Sequence, residues 1–403
     1  MGIGTFDYLE GSWILPLRHI INKIVLLTLM KVSLRVPLLP ILLYTSGFFG
    51  AGSRFIACRA LATSPGKGPA RKTSTMRSDK TETIHAKMMY VDPSTNIAHV
   101  GRSTTGDDES EIQVTWKPQH VPMYDARKAE SSPSLLVSGA ELISNVPPET
   151  SPSDSPIDFL DSHDVMDRYY PYCESLVKEC LQKENHGEQG PSLVVAFDHN
   201  VRIAQPSNQD VLKNAGESKL QQPIHTVRGD YTSISAPKRL QLLSEAPKAN
   251  DVWKDRLGDT PLVDSTLVQE ALQGKRRFAF INLWRSIDRE NPILAFVDAT
   301  TVHKDELKTL QIHYTDRVGK NYLAVHNPRH RWLYFKEMVY SEALLIKQWD
   351  SVGGLACGCE SDVENGISTF SIHSAFDLRP PPSSDSVAAP SRKSIEVRCV
   401  IIF

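Results

Sequence analysis

The sequence lacks several features that would place it in a specialised class of protein. Its 403 residues carry a net charge of only −2 at pH 7, which gives no reason to expect a nucleic-acid binder. Long apolar runs occur only near the N-terminus, and this excludes a polytopic membrane protein. The composition, 40% apolar and 23% charged, is that of an ordinary globular chain and excludes collagen, a coiled coil or a wholly disordered protein.

Several chemical motifs are missing too. The six cysteines are too few and too dispersed for a disulfide framework. The one close pair, Cys357 and Cys359, lacks the usual spacing of zinc ligands, and we interpret it as part of a reduced, mobile loop. No Gly-rich phosphate loop follows a strand pattern and no G-x-S-x-G motif occurs. A nucleotide cofactor and an α/β-type serine hydrolase are therefore not expected.

Residues 1–75 differ from the rest of the chain. They carry nine Lys or Arg against two acidic residues, so their net charge is +7 and that of residues 76–403 is −9. Residues 36–53 are an uncharged apolar stretch near the lower length limit of a membrane-spanning helix. Three interpretations stay open: a membrane anchor, a targeting leader, or an upstream extension missing from the mature protein. We favour a dispensable leader and a cytoplasmic protein, with weak membrane association through residues 36–53 as the alternative.

Residues 76–403 are expected to form one domain in two parts. The N-terminal part, 76–190, contains a Ser/Pro-rich connection at 131–156 and a helix at about 162–184, which Pro171 would kink or interrupt. The second part, 191–403, is rich in short β-branched and aromatic runs and has few helical patterns. Its predicted helices span about 236–245 and 265–273, and its predicted strands span 193–197, 277–284, 293–297, 322–326, 331–335, 343–349, 369–373 and 394–403.

Many short strands with few helices predict a mainly β fold with peripheral helices, a β-sandwich or jelly roll. A doubly wound α/β sheet would need a helix after most strands, and the sequence does not provide them. The core of this fold is expected within 191–403.

Two segments carry the residue types of a metal-dependent oxidation site. His225, Arg228, Asp230 and Tyr231 fall within seven positions, and His373 lies far downstream in a predicted strand. Two histidines and one carboxylate can form the facial triad of a non-heme iron site, which leaves three positions open. A 2-oxoacid bound there also needs a cation and a hydroxyl for its distal carboxylate, and the triplet at 392–394 supplies both.

At this point the sequence resembles the fungal hydroxylase/desaturase (asaB-like) family, related to gibberellin desaturase and to the cephem-methoxylase companion subunit. The resemblance covers roughly 82–403 and is best from 191 onward. The blocks that carry it are 194–202, 225–232, 281–285, 294–299, 327–332, 345–351, 370–376 and 391–398.

The resemblance implies a double-stranded β-helix and an oxidoreductase of the hydroxylase/desaturase type in fungal secondary metabolism. It implies dioxygenase chemistry with iron and 2-oxoglutarate on a small, apolar substrate. Carried over to this chain, Asp230 and His373 would be metal ligands, and Arg392 with Ser394 would hold 2-oxoglutarate. Asn282 and Arg285 lie in a family block and are expected either to face the pocket, beside the cofactor, or to be polar ends of a barrel strand.

Arg228 departs from the family pattern, which is His-x-Asp at this point. A guanidinium stays protonated near neutral pH and has no lone pair to offer a metal. Three outcomes are open: His225 replaces it as a ligand, Arg228 pairs with Asp230 in a metal-free pocket, or iron binds weakly through Asp230 and His373 alone.

Because Arg228 departs from the family pattern, three functions stay open. The first is the oxidoreductase, with His225, Arg228 and Tyr231 as catalytic residues. The second is a non-catalytic jelly-roll partner subunit with a degenerate metal site. The third is a metal-independent enzyme that does acid–base work through Asp230 and His225.

Overall fold

A computed structural model describes most of the chain from residue 84 onward, and the predictions for residues 1–75 lie outside the described residues. The described residues fall in one compact unit, Ser78–Phe403, while the predicted division near residue 190 stays a prediction. In this described part, no helix is long and apolar enough to cross a membrane. The described ranges are 84–102, 109–111, 114–146, 155–184, 190–204, 206–207, 210–215, 220–248, 251–287, 294–314, 318–376 and 392–403.

The larger of two sheets has ten strands in the order β1-β4-β12-β9-β14-β7-β11-β10-β2-β3. Most of its neighbours are antiparallel; β2 with β10 and β4 with β12 are parallel. Its strands are β1 (Ile84–Val91), β2 (Ile97–Arg102), β3 (Glu109–Glu111), β4 (Trp116–Asp125), β7 (Arg228–Gly229), β9 (Leu294–Val297), β10 (Leu307–His313), β11 (Val318–Ala324), β12 (Trp332–Tyr334) and β14 (His373–Ala375).

The smaller sheet has five antiparallel strands in the order β5-β13-β8-β15-β6. The central strands of this sheet are buried on both faces, because every residue of β8 and of β13 is buried. Its strands are β5 (Ala140–Ser144), β6 (Leu193–Ile203), β8 (Phe278–Ser286), β13 (Glu342–Asp350) and β15 (Lys393–Ile402).

Helices lie outside the sheets. Tyr170–Glu184 continues a short helix and a π-helical turn, so the interruption predicted at Pro171 is seen just before it. Asp264 caps the last α-helix, its side chain accepting from the backbone of Thr266 and Leu267. The α-helices are α1 (Ser162–Asp164), α2 (Tyr170–Glu184), α3 (Ser235–Leu242), α4 (Lys254–Leu257) and α5 (Ser265–Leu272), the π-helix is Val165–Tyr169, and the 3-10 turns are Ala126–Lys128, Ala299–Thr301, Lys304–Glu306 and Asp362–Glu364.

Alternation along β8 divides the core into two layers. Phe278 and Phe280 pack into the space between the two sheets. Ala279, Ile281 and Leu283 point to the other face and pack with residues of α2. Side chains two residues apart share a face of a strand, so one strand supplies both layers. The result is the mainly β jelly roll with peripheral helices that the sequence predicts.

The predicted strands at 193–197, 277–284, 293–297, 331–335, 343–349 and 394–403 are confirmed with shifted ends, as are the three helices. The strand expected at 322–326 is the end of β11, and that at 369–373 meets β14 at one residue. Strands β1, β2, β4 and β10 were not predicted, and β5 lies inside the segment read as a loop. These strands mix polar and apolar residues, and long-range pairing rather than local pattern fixes them.

Candidate active site

Two short strands of the larger sheet bring together the segments that the sequence singles out. β7 and β14 pair antiparallel, with Arg228 opposite His373. Asp230 comes two residues after Arg228, so both side chains emerge on the same face. Gly229 between them lies against the Phe370 ring, where an added Cβ would be 3.1 Å from the nearest ring carbon. The glycine therefore lets β7 approach the core.

The smaller sheet supplies the opposite wall. In β15, Ser394, Glu396 and Arg398 alternate with apolar residues that face α2. Each is paired on both sides, which places polar side chains in three rows across the sheet. The rows are Arg202–Ser394–Ser286, Asn200–Glu396–Trp284 and Asp198–Arg398–Asn282.

The two walls enclose a pocket with an empty volume of about 450 Å³, part of it open to solvent. Asp230 and His373, the predicted metal ligands, line it together with Arg392 and Ser394, the predicted 2-oxoglutarate contacts. Arg228 lines it too. Residues from distant parts of the sequence thus meet in one cavity.

Asp230 is an ionised carboxylate among cations. Burial alone raises its pKa, but the electrostatic effect of its neighbours, His373 first and Arg398 next, lowers it to about 2. Its Oδ1 lies 4.0 Å from Nε of Arg228. Its Oδ2 accepts a long hydrogen bond of 3.4 Å from Asn282, a residue of the opposite wall. A charged carboxylate is the state that a metal ligand requires.

His373 is oriented by its own chain. Its Nδ1 lies 3.2 Å from the carbonyl oxygen of Ser371 and donates to it, because a carbonyl only accepts. A neutral ring with its proton on Nδ1 has a lone pair on Nε2 to offer a metal. Metal-ligating histidines commonly have this arrangement, in which one ring nitrogen donates to a carbonyl and the other binds the metal. His373 is 7% exposed and lines the pocket.

The donor set fits iron at two positions of a facial triad and does not fit at the third. Asp230 and His373 are a carboxylate and an imidazole on neighbouring segments of the larger sheet. Arg228 holds the place of the second histidine and cannot ligate. In the described part of the chain, no group of three or more His, Cys, Asp or Glu side chains could hold a metal.

His225 does not complete the set. Its side chain is exposed, and the pocket lining includes Ile224 and Thr226 on either side of it but not His225. Its predicted roles as substitute ligand and as catalytic residue therefore find no support in the geometry.

Tyr231 lies outside the pocket lining. Its ring stacks on Phe280 with ring centroids 4.7 Å apart, in the layer between the two sheets. Burial raises the pKa of its hydroxyl to about 12. The geometry shows a packing role for Tyr231, and its catalytic role stays a prediction.

The residues of β8 separate by face. Asn282 reaches Asp230, and Trp284 lines the pocket. The Arg285 side chain points to the opposite face of β8. Its Nε and Nη2 donate to the carbonyl of Tyr340 at 3.1 and 2.6 Å, and its guanidinium lies over the Tyr340 ring. The expectation that Arg285 faces the pocket beside the cofactor is thus not met. Since side chains alternate along a strand, Asn282 and Arg285 cannot share a face.

Sequence reasoning missed Arg202, Glu396 and Arg398 as site residues. Arg202 and Glu396 line the pocket, and Arg398 donates to Asp198 at 2.8 Å and to Glu396 at 3.0 Å. The sequence contains part of this information, because residues 394, 396 and 398 share one face of the predicted strand 394–403. Ser394, the first of them, is already a predicted site residue. Arg202 lies opposite Ser394, and only strand pairing reveals that contact.

Comparisons with known proteins identify the family of this chain. Residues 88–258 and 261–402 match the family YDMC, described as Oxidoreductase/YMDC permease-like domain. The hydroxylase/desaturase efuI of Hormonema carpetanum is 26% identical over 72% of this chain and 86% of its own length. An uncharacterized protein in the dcmA 3' region of Methylophilus leisingeri is 33% identical over 51% of this chain and 92% of its own length.

A solved structure shares the fold. The iron and alpha-ketoglutarate-dependent endoperoxidase NvfI superposes with a TM-score of 0.53 over 79% of this chain and 97% of its own. The two sequences are 20% identical, so the likeness concerns the architecture. It supports the jelly roll described above.

Proposed function

The chain belongs to the oxidoreductase/YMDC permease-like domain family, and we propose that it is a hydroxylase/desaturase that oxidises a C–H bond of a small molecule with iron, 2-oxoglutarate and O2. Two relatives carry the name hydroxylase/desaturase. The neighbour in fold is named an iron and alpha-ketoglutarate-dependent enzyme. The single observation that carries the proposal is the meeting of Asp230 and His373 in one pocket with Arg392 and Ser394.

Asp230 and His373 are the two side chains that would hold Fe(II). Bound iron with 2-oxoglutarate supplies an oxidant strong enough to remove a hydrogen atom from an unactivated carbon. Asn282 steadies the Asp230 carboxylate from the opposite wall, and the Ser371 carbonyl fixes the His373 ring. Both ligands are therefore preorganised before a metal arrives.

Arg392 and Ser394 suit the distal carboxylate of 2-oxoglutarate. A guanidinium offers two parallel N–H donors to a carboxylate, and a hydroxyl adds a third donor. Trp284 and Leu294 supply apolar surface to the same pocket. The mixture of charged and apolar lining is typical of a small-molecule site that fixes one orientation of its ligand.

The competing function is a partner subunit without catalysis, and Arg228 is the observation that favours it. A cation beside the ligand pair repels Fe²⁺ and removes one donor. Acid–base work by Asp230 and His225 has less support, because the low pKa of Asp230 makes it a weak base and His225 lies outside the pocket lining.

An anaerobic titration tests the proposal. The full chain receives Fe(II) and then 2-oxoglutarate, and the visible metal-to-ligand charge-transfer band is followed; O2 is then admitted and succinate formation is measured. We expect a band in the natural protein and a stronger one in Arg228→His. A band in the variant alone, with no succinate from the natural chain, would transfer the support to the partner-subunit function.

A further inference from the structure

The pocket contains a positively charged side chain, that of Arg228, to which the proposed function assigns no role. Arg228 lines it with a side chain 12% exposed. Within the described residues, its guanidinium has one carboxylate within 4.0 Å, that of Asp230, and its side chain makes no hydrogen bond. A largely buried guanidinium of this kind can donate hydrogen bonds from its N–H groups to the oxygen atoms of a ligand.

Asp230 does not neutralise Arg228 by itself. The same carboxylate lies 4.0 Å from Nε of Arg398 and is bonded by Asn282. If Asp230 also binds a metal, its charge is used there. Arg228 then keeps an unbalanced positive charge inside the cavity.

The other acidic groups are already engaged. Asp198 and Glu396 both accept hydrogen bonds from Arg398. Arg202 is a further, partly buried cation on the pocket wall, and one of its nitrogens donates to the Gln222 carbonyl at 3.0 Å. Burial lowers the pKa of Arg202 to about 10; among its charged neighbours Glu396 raises it, whereas Arg228 and Arg398 lower it. Cations that repel one another in a low-dielectric pocket attract an anion.

The surroundings of Arg228 are not ionic alone. Ile224, Leu294 and Ala375 contribute apolar surface to the same pocket. A ligand that suits both parts has an apolar body and one planar anionic end. A carboxylate matches the planar fork of a guanidinium with two parallel hydrogen bonds.

We propose that Arg228, with Arg202 as the neighbouring cation, binds a carboxylate of the substrate, so that the small molecule taken by this pocket is an organic acid. The inference rests on the proposed function only in assuming that the pocket takes a small molecule. It replaces the expectation of an apolar substrate. It also assigns a role in substrate selection to Arg228, the residue that departs from the His-x-Asp pattern.

The test uses binding to the metal-free protein, so that it does not depend on catalysis. The full chain in EDTA is titrated with hexanoate and with hexanamide, a pair that differs in the charged group, and ligand-observed NMR gives the two affinities. We expect hexanoate to bind at least about tenfold more tightly. Arg228→Gln is expected to remove this preference and leave hexanamide binding unchanged.

Arg256→Gln is the matched control, because it removes an exposed guanidinium that lies outside the pocket lining. The acid preference is expected to persist in it. Equal affinity for acid and amide, no binding of hexanoate, or loss of the preference in Arg256→Gln alone would each overturn the proposal. Circular dichroism and thermal unfolding of both variants check that the fold is intact.

A carboxylate at Arg228 has a second source, 2-oxoglutarate itself. If metal-free protein binds 2-oxoglutarate and Arg228→Gln abolishes that binding, the arginine serves the co-substrate and the assignment to the substrate is wrong. Failure of the acid test leaves iron binding and succinate formation to be judged separately. Acid binding without any succinate would equally separate this inference from the proposed function.

Discussion

Arg228 and His373 face each other across the antiparallel pair of β7 and β14. Their side chains therefore leave the sheet on one face at neighbouring positions. The pairing puts a permanent cation beside a histidine that is oriented for a metal. We expect the proposed metal binding and ligand choice in this pocket to depend on that arrangement.

His373→Gln should abolish 2-oxoglutarate turnover, whereas His225→Gln should leave it within about twofold of the natural protein. The reason is placement, since His373 lines the pocket and His225 is exposed outside the lining. Succinate formed per minute is the measurement. A similar loss in both variants would make His225 a ligand after all.

Asp230 should make stability depend on acid pH in the metal-free protein. Its folded pKa, about 2, lies below its ordinary value of 3.8, so its charged form stabilises the fold above pH 4 and the effect is lost as pH falls through about 2. Asp230→Asn should therefore cost about 2 kcal/mol at pH 6 and much less near pH 2. Urea unfolding of both proteins in EDTA across this range checks it.

Asn282→Leu and Arg285→Met should have opposite consequences. Asn282 bonds Asp230 in the pocket, so its loss should weaken Fe(II) binding with little change in stability. Arg285 bonds the Tyr340 carbonyl on the other face, so its loss should cost about 1–3 kcal/mol of stability and spare metal affinity. Metal titration and chemical unfolding of each variant separate the two effects. Weaker metal binding in Arg285→Met would contradict the assigned face.

Tyr90→Phe should destabilise the fold by about 1–2 kcal/mol, because a buried network depends on that hydroxyl. Its oxygen accepts from Trp332 at 2.8 Å and lies 3.1 Å from Nδ1 of His330, whose Nε2 lies 3.0 Å from Glu306. Tyr124→Phe, at an exposed tyrosine, is the control and should change little. Thermal unfolding compares the pair, and equal shifts would show that the network contributes nothing.

The local pattern of residue types along the sequence predicts much of the fold. The aromatic and β-branched runs in Phe278–Ser286 and Lys393–Ile402 predict strands, because such side chains pack well on a pleated sheet. Strands such as Leu307–His313 escaped prediction, since their mixed polarity makes sense only beside β2 and β11. The β2 partner lies far away in the sequence.

The residues of the candidate site also fall into two groups, those that the sequence predicts and those that only the tertiary structure reveals. The sequence by itself determined the jelly roll and the family, and it predicted Asp230, His373, Arg392 and Ser394 as site residues, because these predictions depend on residue types in a recognisable order; the four line one pocket. Only the tertiary structure decided which neighbours share the cavity: it brought Arg202 opposite Ser394, turned Arg285 to the far face and left His225 outside. Strand register and the direction of each side chain make those choices, and both are fixed by pairing between distant segments.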